Sequence, residues 1–267
     1  QDDLVDAIPY GWNGLNNKLK GIRKSELNLI CAGTGTGKSQ VCRELAYYLI
    51  KKNKKVGYIA LEESVQRSIR GLVAIEMEKP IHLPEVRKIC TKKEMTEAWE
   101  KVSNNVCFYD HWGSTDSDDL MNRIRYMVQG LGCEYIFLDH ISIVISGLSE
   151  GDERRLIDNT MTSLRKLVEE LKICLFLVSH LKRLDGNKGH ESGEVQVSLS
   201  HLRGSQSLAQ LSDGIISLSR RQESDDVSTD MTVRVLKNRF CGTIGYATTL
   251  VWNESTNRLT EKWTKEN

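Results

Sequence analysis

The segment Ala32-Gly33-Thr34-Gly35-Thr36-Gly37-Lys38-Ser39 decides the fold class of this chain. The apolar run Leu27–Cys31 before it predicts a buried strand, and the spacing of Val41, Leu45 and Leu49 after it predicts one face of a helix. Glycines let backbone N–H groups turn towards phosphate oxygens, and a helix N-terminus adds a favourable dipole. The bland alternative is a glycine loop without a ligand. We interpret the segment as a phosphate-binding loop and the chain as a nucleotide-binding protein.

The residues of this loop have distinct expected roles. Lys38 would reach the outer phosphates, and the Ser39 hydroxyl would bind Mg²⁺. Ala32 stands where the usual pattern has its first glycine, a replacement that this motif tolerates. The residues expected to surround the nucleotide phosphates are Ala32, Gly33, Thr34, Gly35, Thr36, Gly37, Lys38 and Ser39.

Strand-like and helical patterns alternate along the remaining chain, which predicts an α/β fold. A mostly parallel central sheet flanked by helices follows from this order. The predicted strands cover 27–31, 55–61, 133–139, 173–178, 215–218, 231–236 and 246–252. Helices are predicted through 69–75, 117–129, 156–171 and 207–211. The charged stretch 79–105 gives no clear pattern, and the polar stretch 182–198 predicts a surface loop.

Composition restricts the class of protein. The 267 residues carry a net charge of +1, so any binding of nucleic acid must rely on local charge or on several subunits. No apolar run approaches the length of a membrane span, and we expect no membrane partner. The seven cysteines are odd in number and include no C-x-x-C pair, which favours buried thiols in a reducing compartment such as the cytoplasm.

Polar residues follow three of the predicted strands, at the edge where open parallel sheets bind ligands. Asp139 fits the acid on the magnesium side of a nucleotide site. Glu62 is a candidate general base, and Glu63 competes with it because strand alternation lets only one of them face the nucleotide. His180 could donate a hydrogen bond to the γ-phosphate, although a histidine at a strand end is more often structural.

Four segments together carry a family resemblance. They are Leu138–Val144, Asp152–Arg155, His180–Lys182 and Leu202–Ser205. In this order they resemble the helicase half of bacteriophage primase-helicases, which are RecA-fold ring motors related to bacterial DnaB and mitochondrial Twinkle. The resemblance extends from Trp12 to about Trp252. It implies a RecA-like P-loop NTPase fold.

The resemblance also implies roles for single residues. Glu62 matches the catalytic glutamate of the family, which favours it over Glu63. Asp139 matches the Walker B aspartate, and His180 matches the γ-phosphate sensor. Arg239 would reach the nucleotide of the neighbouring subunit as an arginine finger, with Lys237 assisting; the alternative for Arg239 is a solvated charge.

Two further groups of residues follow from the same resemblance. Arg220 and Trp252 match the positions that sandwich the nucleotide base, although a tryptophan there could equally belong to the core. Loops around a central pore would contact single-stranded DNA. The residues expected to bind DNA are Lys182, Lys188, Arg203, Gly204 and Ser205.

The expected function is therefore that of a replicative DNA helicase motor. It would form a homo-oligomeric ring, as a hexamer, and move 5′ to 3′ on single-stranded DNA while hydrolysing ATP or dTTP with Mg²⁺. The parent protein could carry a primase domain and meet a DNA polymerase, in the cytosol of a bacterium or of a phage-infected host.

The chain begins at Gln1 rather than Met, and we expect it to be part of a longer protein. Residues 1–11 would be the remnant of a linker, and residues 12–267 the motor domain. With so little linker the fragment should assemble weakly. The alternatives are a recombinase ATPase like RecA or RadA and a regulatory ATPase like KaiC, which share the fold and the phosphate loop.

Overall fold

A computed structural model describes residues 7–109, 117–141, 150–181, 198–199, 202, 206–220 and 230–262. The strands are β1 (Leu27–Ala32), β2 (Val56–Ala60), β3 (Val106–Phe108), β4 (Tyr135–Asp139), β5 (Cys174–His180), β6 (Gly214–Ser219), β7 (Asp230–Asn238), β8 (Gly245–Asn253) and β9 (Arg258–Glu261). The helices are α1 (Asn13–Leu19), α2 (Lys38–Lys51), α3 (Val65–Met77), α4 (Pro84–Ile89), α5 (Lys92–Ser103), α6 (Ser117–Arg125), α7 (Glu150–Leu171) and α8 (Gln206–Leu211).

The strands form one sheet in the order β3-β2-β4-β5-β1-β6-β7-β8-β9. The six strands from β3 to β6 pair in parallel, and β7, β8 and β9 extend the sheet as antiparallel strands. The expected α/β architecture with a mostly parallel central sheet is confirmed. Crossover helices between the parallel strands cover the two faces, as this topology requires.

Apolar side chains on both faces of the sheet form two core layers. The apolar stripe of α2 packs in one layer, and the stripe of α7 packs in the other. Strands covered on both faces favour apolar residues at most positions rather than at alternate ones, which explains why every residue of β1 is buried and why Asn28 is its one polar residue. Five of the seven cysteines are buried, Cys107 is half-buried and Cys241 is exposed, and all seven are free thiols.

The charged stretch without a clear pattern contains two helices that the sequence analysis missed. Pro84 opens α4, a position where its fixed φ suits a helix and its missing N–H costs nothing. Thr91 and Glu94 form a reciprocal capping box at the start of α5. Short helices with few buried residues leave a weak periodic signal, so these caps were the readable evidence. The predicted helix 117–129 divides into α6 and a π-helical turn at Tyr126–Gly130.

Strand register places the candidate site at one edge of the sheet. Ala32 pairs with His180 across β1 and β5, and Ala60 pairs with Asp139 across β2 and β4. Glu62 follows β2 by two residues. No helix in the described ranges has the length and apolar character needed to cross a bilayer.

Candidate nucleotide site

The phosphate loop turns sharply between β1 and α2. Gly35 and Gly37 have φ values of 71° and 103°, in the left-handed region that favours glycine. The Thr36 hydroxyl closes the turn by donating to the carbonyl of Gly33 at 3.0 Å. A Cβ atom at Gly37 would lie 2.9 Å from the Met231 side chain. The loop therefore needs glycine at Gly35 and Gly37 for its backbone conformation, and at Gly37 also for the space beside Met231.

Lys38 is buried at the start of α2 and folds back over the loop. Its ammonium donates to the carbonyl of Gly33 at 2.7 Å and lies 3.2 Å from Nδ1 of His180. Burial lowers the pKa of Lys38, and the nearby Asp139 and Glu62 oppose that shift. The structure thus brings together Lys38, His180 and Asp139, which come from separate segments and were expected to act on the outer phosphates or their Mg²⁺.

Ser39 and Asp139 are in direct contact. The serine hydroxyl donates to Oδ2 of the aspartate at 2.6 Å. Burial raises the pKa of Asp139, although the bond from Ser39 favours its ionised form. A hydroxyl and a carboxylate are the hard oxygen donors that Mg²⁺ prefers, so the donor set fits that ion.

The two candidate glutamates occupy different environments. The half-exposed Glu62 side chain meets Nε2 of His140 at the edge of the sheet. Glu63 is largely buried and accepts hydrogen bonds from Arg43 at 2.5 Å and from Ser68 at 2.6 Å. Glu63 is thereby committed to the contact between α2 and α3, whereas Glu62 faces the same region as Lys38.

Arg43 reaches Glu63 through a gap in α3. A Cβ atom at Gly71 would lie 2.6 Å from Cδ of Arg43, so the absence of a side chain at Gly71 makes the passage possible. Burial acts to lower the pKa of Arg43, but the negative groups around it raise the pKa overall. The sequence analysis missed this buried ion pair because its members lie on different elements.

Glu62, His140 and His180 bring their ligand atoms within 4.8 Å of one another. Two imidazoles and a carboxylate form a donor set that suits a transition metal. The Lys38 ammonium lies against His180, and its positive charge opposes a cation bound there. We therefore treat these side chains as part of the candidate nucleotide site rather than as a separate metal centre.

A cleft of about 710 Å³ opens beside the phosphate loop. Arg220, directly after β6, and Trp252, on β8, both line it, as expected for residues that contact the base. Trp252 also packs partly against the core. The facing wall includes Arg67, Arg70 and His82, which the sequence analysis did not single out. Arg67 and Arg70 lie on α3, and His82 lies between α3 and α4, so their approach to this cleft could not be inferred without the fold.

Arg239 and Lys237 lie at the other edge of the sheet. Their neighbour Asn238 pairs with Gly214 at the start of β6. Strand β6 runs parallel to β1, and the phosphate loop follows the end of β1, so the loop and these two cations lie at opposite edges of the sheet. Arg239 donates to Asp213 at 2.8 Å, and Lys237 donates to the carbonyl of Ala209 at 2.6 Å. Burial and the adjacent Arg239 lower the pKa of Lys237.

Comparison with known proteins places this geometry in a family. The DnaB-like helicase C-terminal domain matches residues 7–261. The chain belongs to this family. A DNA helicase/primase of Enterobacteria phage T3 is 36% identical over 263 residues, which are 97% of this chain and 46% of that protein. A probable plasmid replicative DNA helicase of Chlamydia psittaci is 27% identical and covers 98% of the chain and 57% of its own length.

Solved structures agree with the DnaB-like assignment. A solved ATPase domain superimposes with a TM-score of 0.80 at 19% identity, over 98% of this chain and 93% of that one. A DnaB-like replicative helicase studied with primase gives a TM-score of 0.76 at 19% identity, over 95% and 63%. These matches confirm the RecA-like fold. The chain spans about half the length of the curated relatives it matches.

The residues expected to bind DNA lie outside the described part of this DnaB-like domain. They are Lys182, Lys188, Arg203, Gly204 and Ser205. The chain immediately before two of them is described, because Leu181 and Leu202 form an antiparallel bridge and are both buried. Lys182 and Arg203 therefore follow two paired residues directly, and Leu181 itself follows His180.

Proposed function

We propose that this domain is the motor of a replicative DNA helicase, which hydrolyses a nucleoside triphosphate at subunit interfaces and moves on single-stranded DNA. The position of Arg239 relative to Lys38 carries the proposal. The two lie at opposite edges of the sheet, so one nucleotide cannot contact both within a single chain. A ring of identical subunits supplies the missing arginine from a neighbour.

Within one subunit, the described residues divide the expected chemistry among them. Lys38 would contact the outer phosphates, and Glu62 would orient and deprotonate the attacking water. Ser39 and Asp139 would hold Mg²⁺, which neutralises charge on the phosphates when it is bound. His180 would respond to the γ-phosphate, since it lies 3.2 Å from Lys38.

The proposal extends to several properties that follow from the family. The ring is expected to be a hexamer that moves 5′ to 3′, with ATP or dTTP in the cleft lined by Arg220 and Trp252. We propose residues 12–267 as the motor domain and residues 1–11 as part of a linker. A primase domain and a polymerase contact in the parent protein, and a cytosolic location, complete the proposal.

The bridge between Leu181 and Leu202 supports a link between nucleotide and DNA. The segments that follow these residues carry Lys182 and Arg203, and one of them begins two residues after His180. A change at the γ-phosphate would therefore act on the start of a DNA-binding segment. Backbone N–H groups and cationic side chains of several subunits would hold the phosphates of one strand.

The deciding experiment measures nucleotide hydrolysis with and without single-stranded DNA over a range of protein concentrations at low salt. A ring motor requires a specific activity that rises when single-stranded DNA is added and when the protein concentration is increased. Activity independent of DNA at concentrations where sedimentation detects assembled rings would favour a regulatory ATPase. DNA-dependent filaments with strand exchange would favour a recombinase.

A further inference from the structure

His140 is a buried histidine between two proposed functional side chains. Only 3% of its surface is exposed, directly after Asp139 at the end of β4. Its Nε2 atom faces Oε1 of Glu62, and its ring stands edge-on to the ring of His180, with centroids 4.2 Å apart and planes at 86°. The roles proposed above for the phosphate loop and for Asp139 do not involve His140, so its position between Glu62 and His180 needs a separate explanation.

These contacts form a continuous series across the sheet edge. Lys38 touches His180, His180 touches His140, and His140 touches Glu62. The four residues come from the phosphate-loop helix and from the ends of β5, β4 and β2 respectively. The series thus joins the group expected to contact the outer phosphates to the group expected to activate water.

Glu62 requires such a partner because it is not fixed by burial. Its side chain is 54% exposed, and a half-exposed glutamate samples several rotamers. A general base acts only when its oxygen lies within hydrogen-bond reach of the water it deprotonates. The buried ring of His140 has little freedom to move, so a contact with it restricts the Glu62 carboxylate.

We propose that His140 is a positioning residue for nucleotide hydrolysis. The contact between Nε2 and Oε1 of Glu62 is an ion-pair contact without hydrogen-bond alignment, and a small turn of the half-exposed carboxylate would align Oε1 with a proton on Nε2, leaving the other carboxylate oxygen for water. Because the His140 ring packs on His180, a movement of His180 on γ-phosphate release also displaces the carboxylate. This inference rests on the proposed role of Glu62.

The test uses substitutions of similar length that differ in hydrogen bonding. His140→Gln retains an amide N–H near the position of Nε2, whereas His140→Met fills similar space without a donor. We expect His140→Met to lower kcat at least tenfold with KM and nucleotide affinity unchanged. His140→Gln should keep most of kcat. Ile141→Val, at the adjacent buried residue, controls for disturbed packing, and thermal unfolding reports folding.

The effect must also depend on Glu62. In a Glu62→Gln background, measured by single-turnover hydrolysis, His140→Met should lower the residual rate less than twofold. An equal loss in both backgrounds, or full kcat in His140→Met, would overturn the inference. If His140→Met does not fold, His140→Asn, which is polar but too short to reach Glu62, takes its place. Full activity of Glu62→Gln alone would instead refute the proposed role of Glu62.

Discussion

Arg239 donates a hydrogen bond to Asp213 at 2.8 Å, and this contact lies at the opposite edge of the sheet from the phosphate loop. Asp213 also accepts from the backbone N–H of Leu27, at the start of β1, whereas the loop follows the end of that strand. Six residues of strand separate the two edges by roughly 16 Å. The Arg239 side chain is half exposed, and it lies at the opposite edge of the sheet from the candidate nucleotide site of its own chain.

Mixing two inactive variants tests whether Arg239 acts on a neighbouring subunit. Arg239→Ala and Glu62→Gln should each lose hydrolysis, because each removes one component of every interface. In an equal mixture, about a quarter of the interfaces combine an intact Glu62 with an intact Arg239, so hydrolysis should return to about that fraction of the wild-type rate. Steady-state phosphate release from the mixed and the separate proteins is the measurement.

Folding of the Arg239→Ala variant should be almost unchanged. Asp213 keeps its bonds to Arg165 and to the backbone of Leu27 when Arg239 is truncated. A matched mixture of wild-type protein with the double variant Glu62→Gln/Arg239→Ala measures how readily subunits exchange, because its hydrolysis falls from about half to about a quarter of the wild-type rate only when the subunits mix. Efficient exchange without recovery in the test mixture would place the arginine and the glutamate in the same active site of one chain.

Substitution of the paired glutamates should separate catalysis from stability. Glu62→Gln should lower kcat by two to four orders of magnitude while nucleotide binding persists, because the general base is lost. Glu63→Gln should keep hydrolysis within a few-fold and lower the free energy of unfolding by about 1 to 3 kcal/mol, since Arg43 loses its buried counter-ion. Phosphate release and urea unfolding measure the two effects. The reverse pattern would make Glu63 the base.

Local signals in the sequence predicted most of the fold. Continuous apolar runs marked β1, β4 and β5, and the helical stripe of α7 was readable because a long helix on a sheet must bury one face. The signal failed for β3, β9 and α1, which are short and depend on neighbouring elements. Their pairing is a property of the assembled sheet, so no local pattern encodes it.

The candidate site was predictable where chemistry follows a strand directly. Asp139 and His180 could be named because polar residues at strand ends meet at one edge. His140 was not identified, although it follows Asp139, because its contacts with Glu62 and His180 cross three strands. The ion pair that holds Glu63 could not be predicted either, since Arg43 approaches Glu63 from another helix through the space at Gly71.

Asp139→Asn should stabilise the protein while abolishing Mg²⁺-dependent hydrolysis. Burial raises the pKa of Asp139 above its ordinary value of 3.8, so ionising it costs folding free energy as the pH rises through the raised pKa. Without metal at neutral pH, the variant should therefore unfold at a higher Tm than the wild type. The gain should shrink on acidification, as the wild-type carboxyl takes up its proton.

Thermal unfolding in EDTA from neutral pH down to about pH 5 measures this difference. In the presence of nucleotide, adding Mg²⁺ should raise the Tm of the wild type further and change that of Asp139→Asn little, because Ser39 alone is a weak ligand. A variant less stable than the wild type at every pH would show that ionised Asp139 is a net stabiliser through its contacts with Ser39 and His140.

Arg203→Ala should weaken binding of single-stranded DNA and spare hydrolysis measured without DNA. Arg203 follows Leu202, whose bridge to Leu181 lies next to His180, and it is the proposed contact to a strand phosphate. Loss of one phosphate contact per subunit should lower affinity and flatten its dependence on salt. Fluorescence anisotropy with a labelled oligonucleotide over several salt concentrations measures both the affinity and its salt dependence.

Arg87→Ala, which removes an exposed arginine on α4, is the charge-matched control and should leave DNA affinity unchanged. Equal losses in the two variants would mean that overall charge, rather than Arg203, attracts the strand.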